Sequence, residues 1–249
     1  MTCWSVGWEA GAASTAADGV AGLDRALRGL EGLMDGESGS VRITTGGTTV
    51  RHCMAEAIVS FRQLYPKVSL EFQTETSSCG CFDAFLASDL DLAWVTVGAP
   101  VRGIERRPVA DLPWVVAVRA DDPLAARLHI DAPDLTGIRL IRLPPNSTSG
   151  AHLDTAFAEL GIRPGSDTSV ADWDMALLLA ELGLGHAVVP AVPGLPAPGD
   201  ATSLRLILVP ALPSLSVGWA VRRWDALSPL ARSFADAVAA SCAKTNSTA

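Results

Sequence analysis

From Ala16 onward the hydrophobic positions of the chain form first one helical stripe and then a repeated alternation of strand and helix. Val20, Leu23, Leu27, Leu30 and Met34 recur every three or four residues, which predicts a helix over 16–38 with a narrow, coiled-coil-like seam. Gly19, Gly22, Gly29 and Gly32 interrupt it, each at a cost of roughly 1 kcal/mol relative to Ala. Such a helix needs a partner helix. Residues 1–15 have no period and are expected to be an irregular leader. Gly36-Glu37-Ser38-Gly39 reads as a flexible joint, and residues 244–249 as a disordered tail.

Val41-Arg42-Ile43-Thr44-Thr45 predicts a first strand, followed by the turn Gly46-Gly47-Thr48-Thr49. A helix with Val50, Met54, Ile58, Phe61 and Leu64 on one face then runs up to Pro66. Val68, Leu70 and Phe72 alternate as a second strand. Thr76-Ser77-Ser78 opens a second helix with Phe82, Phe85 and Leu86 inward. Leu90 to Val97 is almost wholly apolar, as buried parallel strands are. Strands joined through helices pair in parallel with right-handed crossovers.

A second set follows, with strands at 114–118 and 138–143. One helix has Leu153, Ala156, Phe157 and Leu160 inward and stops at Gly161; another runs from about Asp172 to Leu182 and stops at Gly183. Further strands are expected at 186–189, 204–209 and 215–221, and Pro190 to Pro198 reads as a Pro-rich surface loop. Ser228-Pro229 starts a closing helix with Leu230, Phe234 and Val238 inward. The fold class is α/β, with two Rossmann-like lobes.

Composition narrows the function. The 249 residues carry Lys+Arg 19 against Asp+Glu 27, a net charge of −8, whereas a free-standing nucleic-acid binder presents a basic face. At 49% hydrophobic and 18% charged the chain has the composition of a folded domain. No apolar run approaches the roughly 18 residues of a membrane span. Five cysteines, an odd number without Cys-x-x-Cys pairs, predict no metal site and a reducing, cytoplasmic compartment. The first nine residues lack the basic start and apolar stretch of a signal peptide.

Catalytic signatures are absent from the sequence. There is no Gly-x-Ser-x-Gly elbow, and His52, His129, His152 and His186 are scattered; His186, in an apolar strand, reads as a satisfied core histidine. Neither Gly-x-x-x-x-Gly-Lys nor Gly-x-Gly-x-x-Gly occurs, so no nucleotide cofactor is expected. Asp89/Asp91 and Asp121/Asp122 read as solvation and capping. A hydroxyl-rich turn between a strand and a helix does recur. It appears as Gly47-Thr48-Thr49, Thr76-Ser77-Ser78 and Asn146-Ser147-Thr148-Ser149, and in variant form as Val170-Ala171-Asp172. Helix N-termini offer unpaired N–H groups and a partial positive charge to small anions, and such turns lie where open α/β sheets bind ligands. N-capping explains each alone; four together, two in each lobe, predict a ligand cleft between the lobes. Cys53, Cys79 and Cys81 fall close to these turns. A helix N-terminus lowers a thiol pKa, which would suit a redox sensor, while buried, small, apolar cysteines are the default. Arg51 and His52 suit either a solvated surface or the support of an anion.

The order of these pieces resembles the effector-binding region of LysR-type transcriptional regulators. The residues that carry the resemblance begin with Gly39-Ser40-Val41-Arg42-Ile43 and Phe61-Arg62-Gln63-Leu64-Tyr65-Pro66-Lys67-Val68. Ser77-Ser78 with Leu90-Asp91-Leu92-Ala93 follow, then Arg119-Ala120-Asp121-Asp122-Pro123-Leu124 and Leu182-Gly183-Leu184-Gly185-His186-Ala187-Val188-Val189-Pro190. The resemblance implies a type 2 periplasmic-binding-protein-like fold, with lobe I at 41–112 plus 213–243 and lobe II at 113–212. The two crossings would be the hinge, and 16–38 a dimerising linker helix.

It also implies effector contacts. Thr48 and Thr49 would supply the first loop, Ser77 and Ser78 the second, and Thr96 the end of the third strand. Ser147, Thr148 and Ser149 would supply the lobe II loop, with Val170 and Asp172 on the opposite wall. Asp172 stands where many members have Ser; facing the cleft it would favour an amine or hydroxyl, and as an N-cap it would serve its own helix. The resemblance implies a small-molecule effector such as a carboxylate, no cofactor, and a dimer or tetramer. DNA would be reached only through a winged helix-turn-helix headpiece, which has no counterpart in residues 1–13. Two other readings are a dehydratase-like cytosolic enzyme on the same two-lobed fold and a truncated modulator of a full-length regulator. The enzyme lacks support in an acid–base pair or in the Thr-Arg-Phe signature of prephenate dehydratases.

Overall fold

The structure is a computed structural model that describes residues 39–98, 100–192, 195 and 203–246. The predicted leader, the helix at 16–38 and most of the Pro-rich loop lie outside the described residues. Strand β1 (Gly39–Thr45) runs into α1, a continuous rod made of the turn Gly47–Thr49, a π-helical turn Val50–Met54 and the α-helix Ala55–Leu64. Then follow β2 (Val68–Thr74), α2 (Ser78–Ala87), β3 (Leu92–Thr96) and β4 (Glu105–Leu112). Strand β5 (Trp114–Arg119) begins the second set, with β6 (Arg139–Arg142), α3 (Thr148–Glu159), β7 (Gly165–Ser169), α4 (Trp173–Glu181), β8 (Ala187–Pro190) and β9 (Leu204–Leu208). Strand β10 (Leu215–Val221) and α5 (Pro229–Asn246) return to the first. Helix α5 runs to Asn246, into the segment expected as a tail at 244–249, and residues 247–249 lie outside the described residues.

The first sheet has the order β2-β1-β3-β10-β4. Strand β1 pairs in parallel with β2 and β3, as predicted, whereas β10 is antiparallel to β3 and β4. The second set repeats this plan. Strands β6 and β7 are parallel, and β5 lies antiparallel between β8 and β9. A parallel bridge from Leu140 to His186 joins the two pieces through Ile141 N–H to His186 O (2.9 Å) and His186 N–H to Arg139 O (2.7 Å). The strand order β7-β6-β8-β5-β9 therefore has the same sequence of directions as the first sheet. The chain crosses between the sets at Pro113 and again between β9 and β10, and the indole N–H of the buried Trp114 donates to Pro213 O (2.9 Å), tying the crossings together.

Helices cover both faces of each sheet, which is why the central strands are apolar throughout. On one face of the first sheet α1 and α5 pack through Phe61 and Phe234, edge to face at 5.3 Å, and Trp219 stands edge-on to Trp94 at 4.9 Å. On the other face Cys81, Ala84 and Phe85 of α2 meet Ala93, Val95 and Ala220. In the second set Ala176, Leu177 and Ala180 of α4 pack on Val115, Ala117, Ala187 and Val189.

Three predicted core positions are on the surface instead. Leu64 is 74% exposed, because beyond Phe61 the helix turns Tyr65, whose ring lies tilted against that of Phe61 at 4.8 Å, toward the core. Leu86 lies one residue beyond Phe85, about 100° around the helix, and is exposed; Leu160 follows the last turn of α3 and is likewise exposed. In the Pro-rich segment, Pro190 belongs to β8 and is buried, as is Val192, so its start is core and not surface loop.

Gly218 marks a point of close approach. The ladder between β10 and β4 shifts register at Val217/Gly218, opposite Pro108, and a Cβ on Gly218 would overlap Arg107 O and lie 2.8 Å from Pro108 Cα. Both obstacles are backbone, so relief requires the strands to part. Gly218→Ala is expected to cost about 2 kcal/mol, read from urea unfolding.

Candidate functional site

The hydroxyl-rich turns meet where β1 and β3 end and where α2, α3 and α4 begin. Each begins for a local reason. Ser77 caps α2, its Oγ accepting from Gly80 N–H (3.0 Å); Ser147 caps α3, accepting from Gly150 N–H (3.2 Å); Asp172 caps α4, accepting from Met175 N–H (2.9 Å). Each cap satisfies one of the N–H groups that a first helical turn leaves free, and the rest remain for other acceptors. For Asp172 the structure thus shows capping of its own helix, with the side chain exposed.

Beyond capping, the turns are bonded to one another. Ser78 Oγ accepts from Thr96 N–H (3.1 Å), fixing the start of α2 to the end of β3. The Ser78 N–H donates across to Thr148 Oγ1 (2.8 Å), so the first set and the second touch at their helix N-termini. Beside this bond Asn146 Nδ2 donates to Thr76 Oγ1 (3.0 Å). Ser149 Oγ receives the Trp173 indole N–H (3.2 Å) and lies 3.1 Å from Ser147 Oγ, which makes a buried hydroxyl pair linked to the start of α4. Thr48 and Thr49 occupy the first turn of α1, half-buried, with Thr49 N–H on Gly46 O (3.1 Å). Val170, also half-buried, is held by its N–H on Arg142 O (2.9 Å). The direct bonds therefore bring together Ser78, Thr96 and Thr148, and separately Ser147 and Ser149.

Sequence reasoning missed Thr45 and Asp174, and it left Arg51 and His52 open between a solvated surface and the support of an anion. Thr45, the last residue of β1, is fully buried and its hydroxyl has no hydrogen-bond partner among the described residues. As a β-branched residue ending a strand it reads simply as a strand former. His52 and Arg51 both reach Asp174 on α4: His52 Nε2 lies 2.7 Å from Oδ1 and Arg51 Nη1 3.5 Å from Oδ2. A pair 122 residues apart leaves no local sequence signal.

The site is rich in hydrogen-bond donors and hydroxyls, and it can hold a small anion without a metal or a nucleophile. Among the described residues no group of three or more His, Cys, Asp or Glu is placed to hold a metal ion. His186 is engaged elsewhere: its Nδ1 accepts from Arg139 N–H (3.1 Å), so Nε2 carries the proton that faces Asp122 Oδ2 (3.1 Å). Cys53 and Cys81 follow the default of buried, apolar cysteines and not the redox alternative. Burial pushes Cys81, in the first turn of α2, up to about 11, against the opposing pull of the Thr44 hydroxyl; it pushes Cys53 up to about 12. Desolvation outweighs the helix N-terminus, so neither is an activated thiolate. Cys242, also buried, is raised to about 11. Burial therefore keeps these thiols protonated at pH 8. Iodoacetamide is expected to leave Cys53, Cys81 and Cys242 unmodified in the folded chain and to modify them after unfolding, as mass spectrometry will show.

Residues 34–243 match the family described as LysR substrate binding domain. The chain belongs to this family. A relative, the uncharacterized HTH-type transcriptional regulator YbhD of Escherichia coli K12, is 26% identical over 215 residues, which covers 85% of this chain and 66% of YbhD. The chain spans about half to two thirds of the length of the curated relatives it matches. Among solved structures, the effector-binding domain of QuiR in complex with shikimate superposes with a TM-score of 0.69 at 19% identity, covering 83% of this chain and 98% of that one. The BenM effector-binding domain with benzoate gives 0.68 at 20% identity, covering 84% and 94%. The LysR-type fold accounts for the repeated strand order and the paired crossings. Among the described residues of this LysR-family chain, no helix is long and apolar enough to cross a membrane.

Proposed function

We propose that this chain is the effector-sensing and dimerising part of a LysR-type transcriptional regulator, working in the cytoplasm and without catalysis. The observation that carries the reading is the Ser78 N–H to Thr148 Oγ1 bond, which sets the helix N-termini of two like sheets face to face. Lobe I is read as 41–112 plus 213–243 and lobe II as 113–212, hinged at the crossings that Trp114 ties together. The effector is a small carboxylate: QuiR and BenM are named with shikimate and benzoate, both carboxylates, and helix N-termini favour negative charge. Thr48, Thr49, Ser77, Ser78, Thr96, Ser147, Thr148, Ser149, Val170 and Asp172 form the contact set. Effector binding shifts the lobes relative to one another, and the shift passes to a DNA-binding headpiece in a dimer or tetramer.

A thermal-shift screen of small carboxylates tests this reading, paired with light scattering and an assay for turnover. A saturable rise in Tm, a dimer or larger assembly, and no conversion of the ligand support it. Turnover of the bound carboxylate would instead make the chain an enzyme on this fold.

A further inference from the structure

Arg51 and His52 sit in the π-helical turn of α1, a kind of turn that recurs at functional sites because it redirects side chains. Its product here is a receptor for a carboxylate. His52, only 9% exposed, places Nε2 2.7 Å from one oxygen of Asp174, and Arg51 approaches the other at 3.5 Å. Asp174 comes from the opposite wall, in the first turn of α4, two residues beyond the cap Asp172. The same two walls are joined nearby by Ser78 to Thr148 and by Asn146 to Thr76.

We propose that Arg51 and His52 form a carboxylate subsite at the cleft rim, that Asp174 fills it from the opposite wall, and that the effector's carboxylate competes with Asp174 for it. This rests on the reading of the cleft as an effector site and adds what the effector must displace. Asp174 is tethered, so its effective concentration exceeds that of a free monocarboxylate. A ligand wins only by adding contacts, and those it has to gain are the Ser78 N–H and the hydroxyls around Thr148. Displacing Asp174 would remove the ion pair between the walls, which couples ligand chemistry to the freedom of the lobes.

Acetate rescue tests the subsite without knowledge of the effector. Asp174→Ala leaves Arg51 and His52 facing an empty carboxylate position. Exchanging 100 mM sodium chloride for 100 mM sodium acetate is expected to raise the Tm of the variant by about 3 °C and to move the wild type by less than about 1 °C. Acetamide, which is neutral, is expected to have no such effect, and adding His52→Gln and Arg51→Gln to Asp174→Ala is expected to remove the gain. If Asp174→Ala does not fold, Asp174→Ser, which also removes the carboxylate and leaves its position open, serves in the same comparison. Equal acetate effects in wild type and variant, or a gain that survives loss of Arg51 and His52, would overturn the proposal. Rescue by acetate in a chain whose wild type binds no carboxylate would keep the subsite and overturn the effector reading alone.

Discussion

Ser78→Pro is expected to weaken carboxylate binding by about 10-fold or more while leaving α2 in place. Ser78 is the first residue of α2, directly after the cap Ser77, a position at which proline is well tolerated because its N–H has no helical partner. Ser77 is extended, at φ −147° and ψ 156°, as a residue before proline must be. The substitution therefore deletes the N–H that faces Thr148 and the hydroxyl that holds Thr96 N–H, with little cost to the helix itself. Ser78→Ala removes the hydroxyl alone. A charge-assisted hydrogen bond to a bound carboxylate contributes about 1.5–3 kcal/mol, so the step from Ala to Pro is expected to weaken affinity by about 10- to 100-fold. Calorimetric titration of wild type, Ser78→Ala and Ser78→Pro with one carboxylate measures it; equal affinities for the last two would mean that the N–H does not meet the ligand.

The largest loss of stability is expected from Phe234→Ala. Phe234 is fully buried where α5 closes the first sheet, and its ring meets Phe61 at 5.3 Å, Phe72 at 6.3 Å and Trp219 at 6.3 Å. Truncation leaves a cavity among three rings that are themselves pinned; the Trp219 indole N–H, for example, donates to Ala235 O (3.2 Å). Collapse into the space is therefore restricted, and the expected cost is about 3–5 kcal/mol, a large part of the roughly 5–15 kcal/mol available to a domain. The urea midpoint should fall accordingly. Ser78→Pro should move it far less, which separates damage to the site from damage to the fold.

The central strands are legible in the sequence because burial on both faces leaves them apolar: β10 is predicted to the residue, β5 to within one, and β3, expected from Leu90 to Val97, to within two at either end. Strands β4 and β7 are not. β4 lies at one edge of its sheet and reads Glu105-Arg106-Arg107-Pro108, with Ala110 and Leu112 its only fully buried positions; β7 is Gly165-Ser166-Asp167-Thr168-Ser169 and almost wholly exposed. An edge strand bathed by solvent needs no hydrophobic alternation, and polar residues there discourage further pairing. At the site, the caps Ser77, Ser147 and Asp172 are visible in the sequence because capping is a local relation across three residues. The contacts between walls are not. Whether Ser78 meets Thr148, or His52 meets Asp174, depends on how two sheets are set against each other. The thiols show the same limit, since a position in the first turn of a helix can be read from sequence but the burial that overrides it cannot.

The most direct test is a titration of the 15N-labelled chain with shikimate, benzoate and related small carboxylates, followed through amide resonances. At least one ligand is expected to shift the Ser78, Thr148 and Gly150 amides together and saturably, with the centres of β1 and β5 little changed. Shifts confined to another surface, such as the hollow lined by Arg119, Arg139 and His186, or no response at Ser78 and Thr148 to any carboxylate, would contradict it.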